Sequence, residues 1–338
     1  MINAFAAMQA KGSLEAFHYH PGPLGHTDVE IQVEYCGVCH SDLSMIDNDW
    51  GRSAYPLVPG HEVIGTVAAT GAGVTTLAVG DVVGLGWHSQ YCMACSLCES
   101  RDHNLCLSAQ PTIVGRHGGF ADKVRASATS VVKLPPGIDK ATAGPLFCAG
   151  ITVFNPLLEF DIQATDRVAV IGIGGLGHLA LKFLRAWGCE ATAFTSTESK
   201  RQEALEMGAS HTIDSTDPAA IRKHANTFDL ILSTVDVKLD WADFVLTLKP
   251  RGRLHFVGIP LQPLDIAVVS LLRGQKSVSA SPVGSPDAIA RMLDFAALHG
   301  IRPEVEEYPV ARINEAIARV RSGAARYRVV LKRTHGSP

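Results

Sequence analysis

The chain has no run of roughly 18 uncharged apolar residues, the length a membrane-spanning helix requires, so no membrane partner is expected. Its first residues, Met1-Ile-Asn-Ala-Phe5, lack the basic segment and apolar stretch of a secretory leader. The expected compartment is the cytoplasm. An excess of one charge is also missing: 30 basic residues stand against 33 acidic ones, a formal net charge of -3. That balance excludes nucleic-acid binding driven by bulk electrostatics. Charged residues make up only 19% of the chain and hydrophobic ones 46%. So apolar a chain offsets the entropy cost of folding, which excludes disorder as the bulk state. There is no internal repeat and no low-complexity segment.

What is present divides into two textures. At roughly 150 residues per domain, 338 residues suggest two domains. Up to about residue 148 the chain is rich in Gly, Pro and short Val/Ile/Thr runs. Val29-Glu-Ile-Gln-Val33 and Val63-Ile-Gly-Thr-Val67 alternate with period two, and Gly80-Asp81 is a turn feeding Val82-Val-Gly-Leu85. From about residue 150 the pattern becomes strand, helix, strand, helix. Arg167–Ile171, Glu190–Phe194, Asp229–Ser233 and Arg253–Val257 are the strands, with helical stretches at Leu176–Trp187 and Lys200–Met207. That alternation predicts a parallel α/β sheet. Helices over Pro286–His299 and Ile313–Ser322 and a final strand at Tyr327–Leu331 close the chain.

Eight cysteines in a chain expected in a reducing compartment need a use other than disulfides. Cys92, Cys95, Cys98 and Cys106 form C-x2-C-x2-C-x7-C, a spacing that wraps one tetrahedral zinc in four thiolates. Few large apolar residues surround them, so metal ligation stabilises what packing does not. All four positions are protein, which makes this a structural ion. A more dispersed set is Tyr35-Cys-Gly-Val-Cys-His-Ser-Asp42 with Gly60-His-Glu62. Cys39 and His61 are metal-ligand types, Glu62 is a neighbouring carboxylate or transient ligand, and Asp42 is an acceptor suited to orienting the His61 ring.

Val170-Ile-Gly-Ile-Gly-Gly-Leu-Gly-His178 is G-x-G-x-x-G between a strand and a helix. Gly172 permits the tight turn, Gly174 lets backbone approach a pyrophosphate, and Gly177 allows close helix–strand packing, with Gly175 and Leu176 completing the loop. The phosphates would sit on the helix N-terminus. The next strand runs into Phe194-Thr-Ser-Thr-Glu-Ser-Lys-Arg201. An NAD enzyme places an acid at that strand end, whereas here Ser196 and Thr197 stand there with Lys200 and Arg201 just beyond. Hydroxyls and two cations suit a 2′-phosphate, so NADP(H) is the expected cofactor. The two cations also suit a solvated first helical turn, and Glu198, past the strand end, is expected to face solvent.

Together Gly37-Val-Cys-His-Ser-Asp42, Gly60-His-Glu62, the four-cysteine lobe, Cys148 and the Gly172–Gly177 loop resemble the zinc-dependent medium-chain alcohol dehydrogenases over essentially the whole chain. Within them the chain looks most like the NADP-dependent branch of cinnamyl alcohol dehydrogenases and bacterial aldehyde reductases. The resemblance implies an α/β protein. A GroES-like β-rich catalytic domain (1–149 and 280–338, zinc lobe at about 88–108) would be split by a Rossmann domain with a doubly wound parallel sheet (150–279), the active site lying between them. It implies two zinc ions per chain. It joins Cys148 to Cys39 and His61 as ligands of a catalytic zinc with an open fourth position, a link that spacing alone does not make.

Further roles come only from the resemblance. Ser41 bonds the substrate oxygen and begins the proton relay, His40 lies near the cofactor pyrophosphate, and Arg328 is presented to the cofactor. Trp50 and Trp87 narrow the substrate pocket, although each alone reads equally well as an aromatic packed under a loop. One departure stands out: Cys39-His-Ser-Asp-Leu-Ser44 ends in serine where many relatives carry a relay histidine. Ser44 can pass a proton but cannot hold a charge near neutral pH. The exit expected instead runs from Ser41 through a ribose hydroxyl to water. Cys36 and Cys189 are expected core thiols.

The activity implied is reversible oxidation of a primary alcohol, aliphatic or aromatic, to its aldehyde. The alternative is an NAD-linked member of the same family acting on a polyol or small secondary alcohol. The expected partners are that small molecule and a second copy of the chain, as a homodimer or else a homotetramer.

Overall fold

A computed structural model describes residues 1–333. Their packing divides the chain into two compact units, Met1–Ile151 together with Val283 onward, and Thr152–Pro282. The boundaries expected from the sequence, 149/150 and 279/280, lie two and three residues away from these divisions. Residues 334–338 of the expected C-terminal segment fall outside the described residues.

The first unit is built on a seven-stranded sheet. Its path runs Val305–Pro309, Arg328–Lys332, Asp28–Val38, Glu62–Thr70, Val82–Leu85 and Val131–Lys133, with Lys123–Ser127 also pairing Asp28–Val38. All these pairs are antiparallel except the parallel first one. Alternation in the sequence dictates this sheet: Val29, Ile31 and Val33 point inward and meet Val63, Val67, Val83 and Leu85 in one core. The Pro286–His299 helix carries both of its sequence signals. Ser285 Oγ accepts from the Ala288 N–H at 3.3 Å, and Gly300 ends it at φ +64°.

The second unit is a six-stranded, wholly parallel sheet. In chain order its strands are β1 (Arg167–Ile171), β2 (Glu190–Thr195), β3 (His211–Asp214), β4 (Phe228–Ser233), β5 (Leu248–Phe256) and β6 (Ser277–Ala280). Their spatial order is β3-β2-β1-β4-β5-β6, the doubly wound dinucleotide-binding arrangement. Helices α1 (Gly177–Trp187) and α2 (Glu198–Glu206) follow β1 and β2. The sequence pattern reveals β1, β2 and β4 because their central positions are fully buried. It does not reveal β3 and β6, which lie at the two ends of the sheet and are half-polar: His211-Thr-Ile-Asp214 buries only Ile213. Strand β5 starts at Leu248, earlier than expected, through a register irregularity opposite β4.

Candidate active site

In the first unit, strand Asp28–Val38 runs into helix His40–Asp47, and the turn between them places Cys39 at the helix start. Asp42, one turn in, is fully buried and ties three segments together. Its Oδ2 accepts from the Cys39 N–H at 2.9 Å, and its Oδ1 accepts from the Gly60 N–H at 2.8 Å and lies 3.0 Å from His61 Nδ1. The carboxylate thereby fixes the ring so that Nε2 faces the thiols, as a metal-bound histidine requires. His61 Nε2 lies 3.3 Å from Cys148 Sγ, which lies 3.8 Å from Cys39 Sγ. One donor atom each from Cys39, His61, Glu62 and Cys148 falls within a 4.8 Å span.

Donor chemistry and burial fit a zinc ion here. Two sulfurs and an imidazole nitrogen are its preferred ligands, and three protein donors leave a position for substrate. The hydrogen bond with Cys148 holds the Cys39 thiol well below its ordinary range despite burial, favouring the thiolate. Glu62 is fully buried, and burial pushes its carboxyl up to about 7 against the pull of the Arg328 guanidinium. Glu62 Oε1 pairs with Arg328 Nη2, while Glu62 Oε2 has no hydrogen-bond partner among the described residues. A buried carboxylate oxygen left open beside three metal donors is the group a cation satisfies. Gly37 makes room for it, since a Cβ there would stand 1.9 Å from that oxygen.

Most of the sequence-predicted groups gather here. Ser41 is half-buried and Ser44 buried on the Cys39 helix, whereas His40 is exposed. Trp87 packs edge-on to the His61 ring at 5.1 Å, and Trp50 packs against Trp87 at 6.1 Å. Both rest on Met45, Leu57 and Ile113. The resemblance presents Arg328 to the cofactor. In the structure its guanidinium is buried against Glu62, a partnership the sequence does not signal because 266 residues separate the two. Cys36 and Cys189 are buried, as core thiols are.

The second cysteine set closes on itself. Cys92 Sγ lies 3.8 Å from Cys98 Sγ and 3.5 Å from Cys106 Sγ, and all four sulfurs fall within 4.8 Å of one another. A backbone hydrogen bond from Ala94, then the neighbouring thiols, hold Cys92 down at about 6. Among the described residues, the lobe's buried apolar cluster is Tyr91 and Ala109 against the cysteines themselves, so four thiolates around one ion are its core.

In the second unit the glycine loop has the geometry its spacing predicts. Gly172 turns at φ +87°, and Thr234 Oγ1 donates to its carbonyl at 2.8 Å. A Cβ on Gly177 would meet that carbonyl oxygen at 2.0 Å, whereas one on Gly174 would meet nothing within 4 Å. Gly177 therefore serves packing, and Gly174 leaves backbone open to a ligand. Gly177→Ala is expected to lower Tm by roughly 5 °C or more through overpacking. Gly174→Ala should leave Tm in place and weaken nucleotide binding about tenfold, ~1.4 kcal/mol. Thermal melts and nucleotide titrations on both variants check this contrast, and a swapped pattern would refute it.

Ser196 and Thr197 are exposed beyond the end of β2, and Lys200 is half-buried on α2. Glu198 faces solvent, as expected, but it pairs with Arg201 at 2.7 Å. Arg201 also pairs with Asp214 at the end of β3, at 2.9 Å. The predicted phosphate cation thus pairs with Glu198, expected only to face solvent, and with Asp214 on the neighbouring strand.

Residues 25–136 match the alcohol dehydrogenase GroES-like domain, and residues 175–297 the zinc-binding dehydrogenase family. The chain is 63% identical to an aldehyde reductase, AdhA, of Synechocystis over 98% of both chains. It is 38% identical to a probable cinnamyl alcohol dehydrogenase, 8A, of Oryza sativa over 97% of this chain and 94% of that one. Among solved structures, a cinnamyl alcohol dehydrogenase of Sorghum bicolor superposes with TM-score 0.94 at 36% identity, covering 98% and 97% of the two chains. A Helicobacter pylori relative, solved in complex with NADP(H), gives TM-score 0.90 at 29% identity over the same shares.

Proposed function

Because the chain belongs to the zinc-dependent medium-chain alcohol dehydrogenases, in the branch resembling cinnamyl alcohol dehydrogenases and aldehyde reductases, we propose that it interconverts a primary alcohol and its aldehyde with NADP(H), reducing aldehydes in the cell. The observation that carries this reading is the convergence of Cys39, His61 and Cys148, buried and oriented by Asp42. A zinc ion held there would supply Lewis-acid polarisation of the substrate oxygen, and a bound nicotinamide nucleotide would supply the hydride chemistry. The chain's own residues do the rest. Cys39, His61 and Cys148 hold the ion, with Glu62 at its side, and Asp42 fixes the tautomer of His61. The Ser41 hydroxyl orients the substrate oxygen and moves its proton. Trp50 and Trp87 wall an apolar substrate and exclude water. Cys92, Cys95, Cys98 and Cys106 hold the structural ion.

The loop from Gly172 to Gly177 takes the pyrophosphate, with His40 and Arg328 as further cofactor-side groups carried from the family. Ser196, Thr197, Lys200 and Arg201 take the 2′-phosphate. The NAD-linked polyol reading requires an acid at the end of β2, where Ser196 and Thr197 stand. Among the described residues no single helix is long and apolar enough to cross a membrane. Six cysteines used as thiolate metal ligands and two as core thiols suit a reducing, cytoplasmic location. A homodimer is supported by strand β6, which among the described residues is paired on one side only, and by exposed Ile259, Leu261, Val268, Val269 and Leu272 before it.

The test is kcat/KM for a panel of aliphatic and aromatic aldehydes with NADPH and NADH. NADPH is expected to be preferred, and Ser196→Asp should shift the ratio toward NADH by repelling the 2′-phosphate. Equal values for the two cofactors in the unmodified protein would defeat the NADP(H) assignment. Turnover of polyols without aldehyde reduction would defeat the substrate class.

A further inference from the structure

In the second unit the ends of β2 and β3 lie side by side. Thr195 is the register partner of Asp214, and the Ser215 N–H donates to the Thr195 carbonyl at 3.2 Å. Asp214 therefore stands next to the strand end that carries Ser196 and Thr197. Its Oδ1 accepts from the Thr216 N–H at 2.8 Å and the Thr216 hydroxyl at 2.6 Å. Its Oδ2 accepts from Arg201 Nη2 at 2.9 Å. Nη1 of the same guanidinium reaches Glu198 Oε2 at 2.7 Å. The two carboxylates differ in freedom: the side chain of Glu198 is 83% exposed, that of Asp214 32% exposed and pinned by Thr216. Glu198, Lys200, Arg201 and Asp214 together carry no net formal charge.

On the NADP(H) reading above, we propose that Asp214 is a specificity-determining residue. It pairs with Arg201 beside the β2 end and, through its fixed negative charge, offsets that cation and limits the preference for a 2′-phosphorylated nucleotide. A dianion arriving at Ser196 and Thr197 is drawn by Lys200 and Arg201. It also meets a carboxylate that cannot swing away, because two Thr216 donors fix it. Glu198 opposes the dianion less, since an exposed charge is screened and its side chain moves aside. Specificity is a difference of affinities, and here the repulsive element is built into the neighbouring strand.

The experiment measures the affinities of 2′,5′-ADP and 5′-AMP by calorimetry on the full chain, unmodified and as Asp214→Asn and Glu198→Gln. Asp214→Asn is expected to tighten 2′,5′-ADP roughly tenfold, the value of one nearby charge in a partly solvated site, while 5′-AMP stays within about twofold. Glu198→Gln moves 2′,5′-ADP the same way by less, and its effect fades as salt rises. An unchanged 2′,5′-ADP affinity in Asp214→Asn overturns the proposal. A weakened one overturns it too, by making Asp214 the group that places Arg201 for the phosphate. A parallel change in 5′-AMP affinity also overturns it, since that marks a general disturbance of the nucleotide site. Failure of the underlying reading shows elsewhere: an unmodified protein that binds 5′-AMP as tightly as 2′,5′-ADP is not NADP-selective, whatever Asp214→Asn does.

Discussion

Ser41→Ala is expected to lower kcat for alcohol oxidation by roughly 10²–10⁴-fold, the range for a group that moves a proton in the transition state. Ser41 is half-buried, two residues beyond Cys39 on the first turn of the His40–Asp47 helix. On the proposed mechanism its hydroxyl orients the substrate oxygen and takes its proton. Ser44 is one turn further on and shares that helix face, since residues three apart are neighbours on a helix. It is only 7% exposed and titrates nowhere near neutrality, so it is poorly suited to delivering a proton to water. Ser44→Ala should therefore cost little. Ser44→His should modestly raise alcohol oxidation near neutral pH, by adding a group that can hold the charge. The comparison is kcat for the alanine variants across about pH 6 to 9. A large, parallel loss in both would establish Ser44 as an obligatory relay, and a fully active Ser41→Ala would remove the serine relay altogether.

How far the sequence reaches depends on the distance between the residues that must meet. The glycine loop is legible because turn, close approach and helix start are fixed within six residues: the chain turns at Gly172, a Cβ on Gly177 would clash with the Gly172 carbonyl, and Gly174 faces open space. The four-cysteine lobe is legible for the same reason. Asp42 can be read as the orienting acceptor because it lies three residues from Cys39 and 19 from His61. Cys148 lies 109 residues from Cys39, and only the family pattern joins the two. The Glu62–Arg328 pair, buried inside the site, has no local signature at all. A charge pair so far apart in sequence becomes visible only when the Arg328–Lys332 strand pairs beside Asp28–Val38. Edge strands β3 and β6 escape notice because they bury at most one of their four residues fully, so neither period nor hydrophobicity marks them. Asp214, the carboxylate paired with Arg201, lies on one of these unmarked strands and so has no local signature either.

Cys39→Ser and Cys106→Ser are expected to separate chemistry from stability. Cys39 is one of three donors at an open site, so its loss should remove the catalytic ion and lower turnover by at least roughly 10³-fold, several kcal/mol of transition-state stabilisation. The fold around it should survive, because Leu43, Ile46, Val63 and their neighbours pack independently of the sulfur. Cys106 belongs to a lobe whose core, among the described residues, is its own sulfurs with Tyr91 and Ala109. Its loss should release the structural ion and lower Tm by more than about 10 °C, while residual turnover at permissive temperature persists. The deciding measurement is zinc per chain in the intact protein and in these two variants, with turnover and Tm taken on the same samples. The predicted result is two ions, one and one, with turnover lost on Cys39→Ser and thermal stability lost on Cys106→Ser. One ion or none in the intact protein, or the two losses exchanged between the variants, would contradict it.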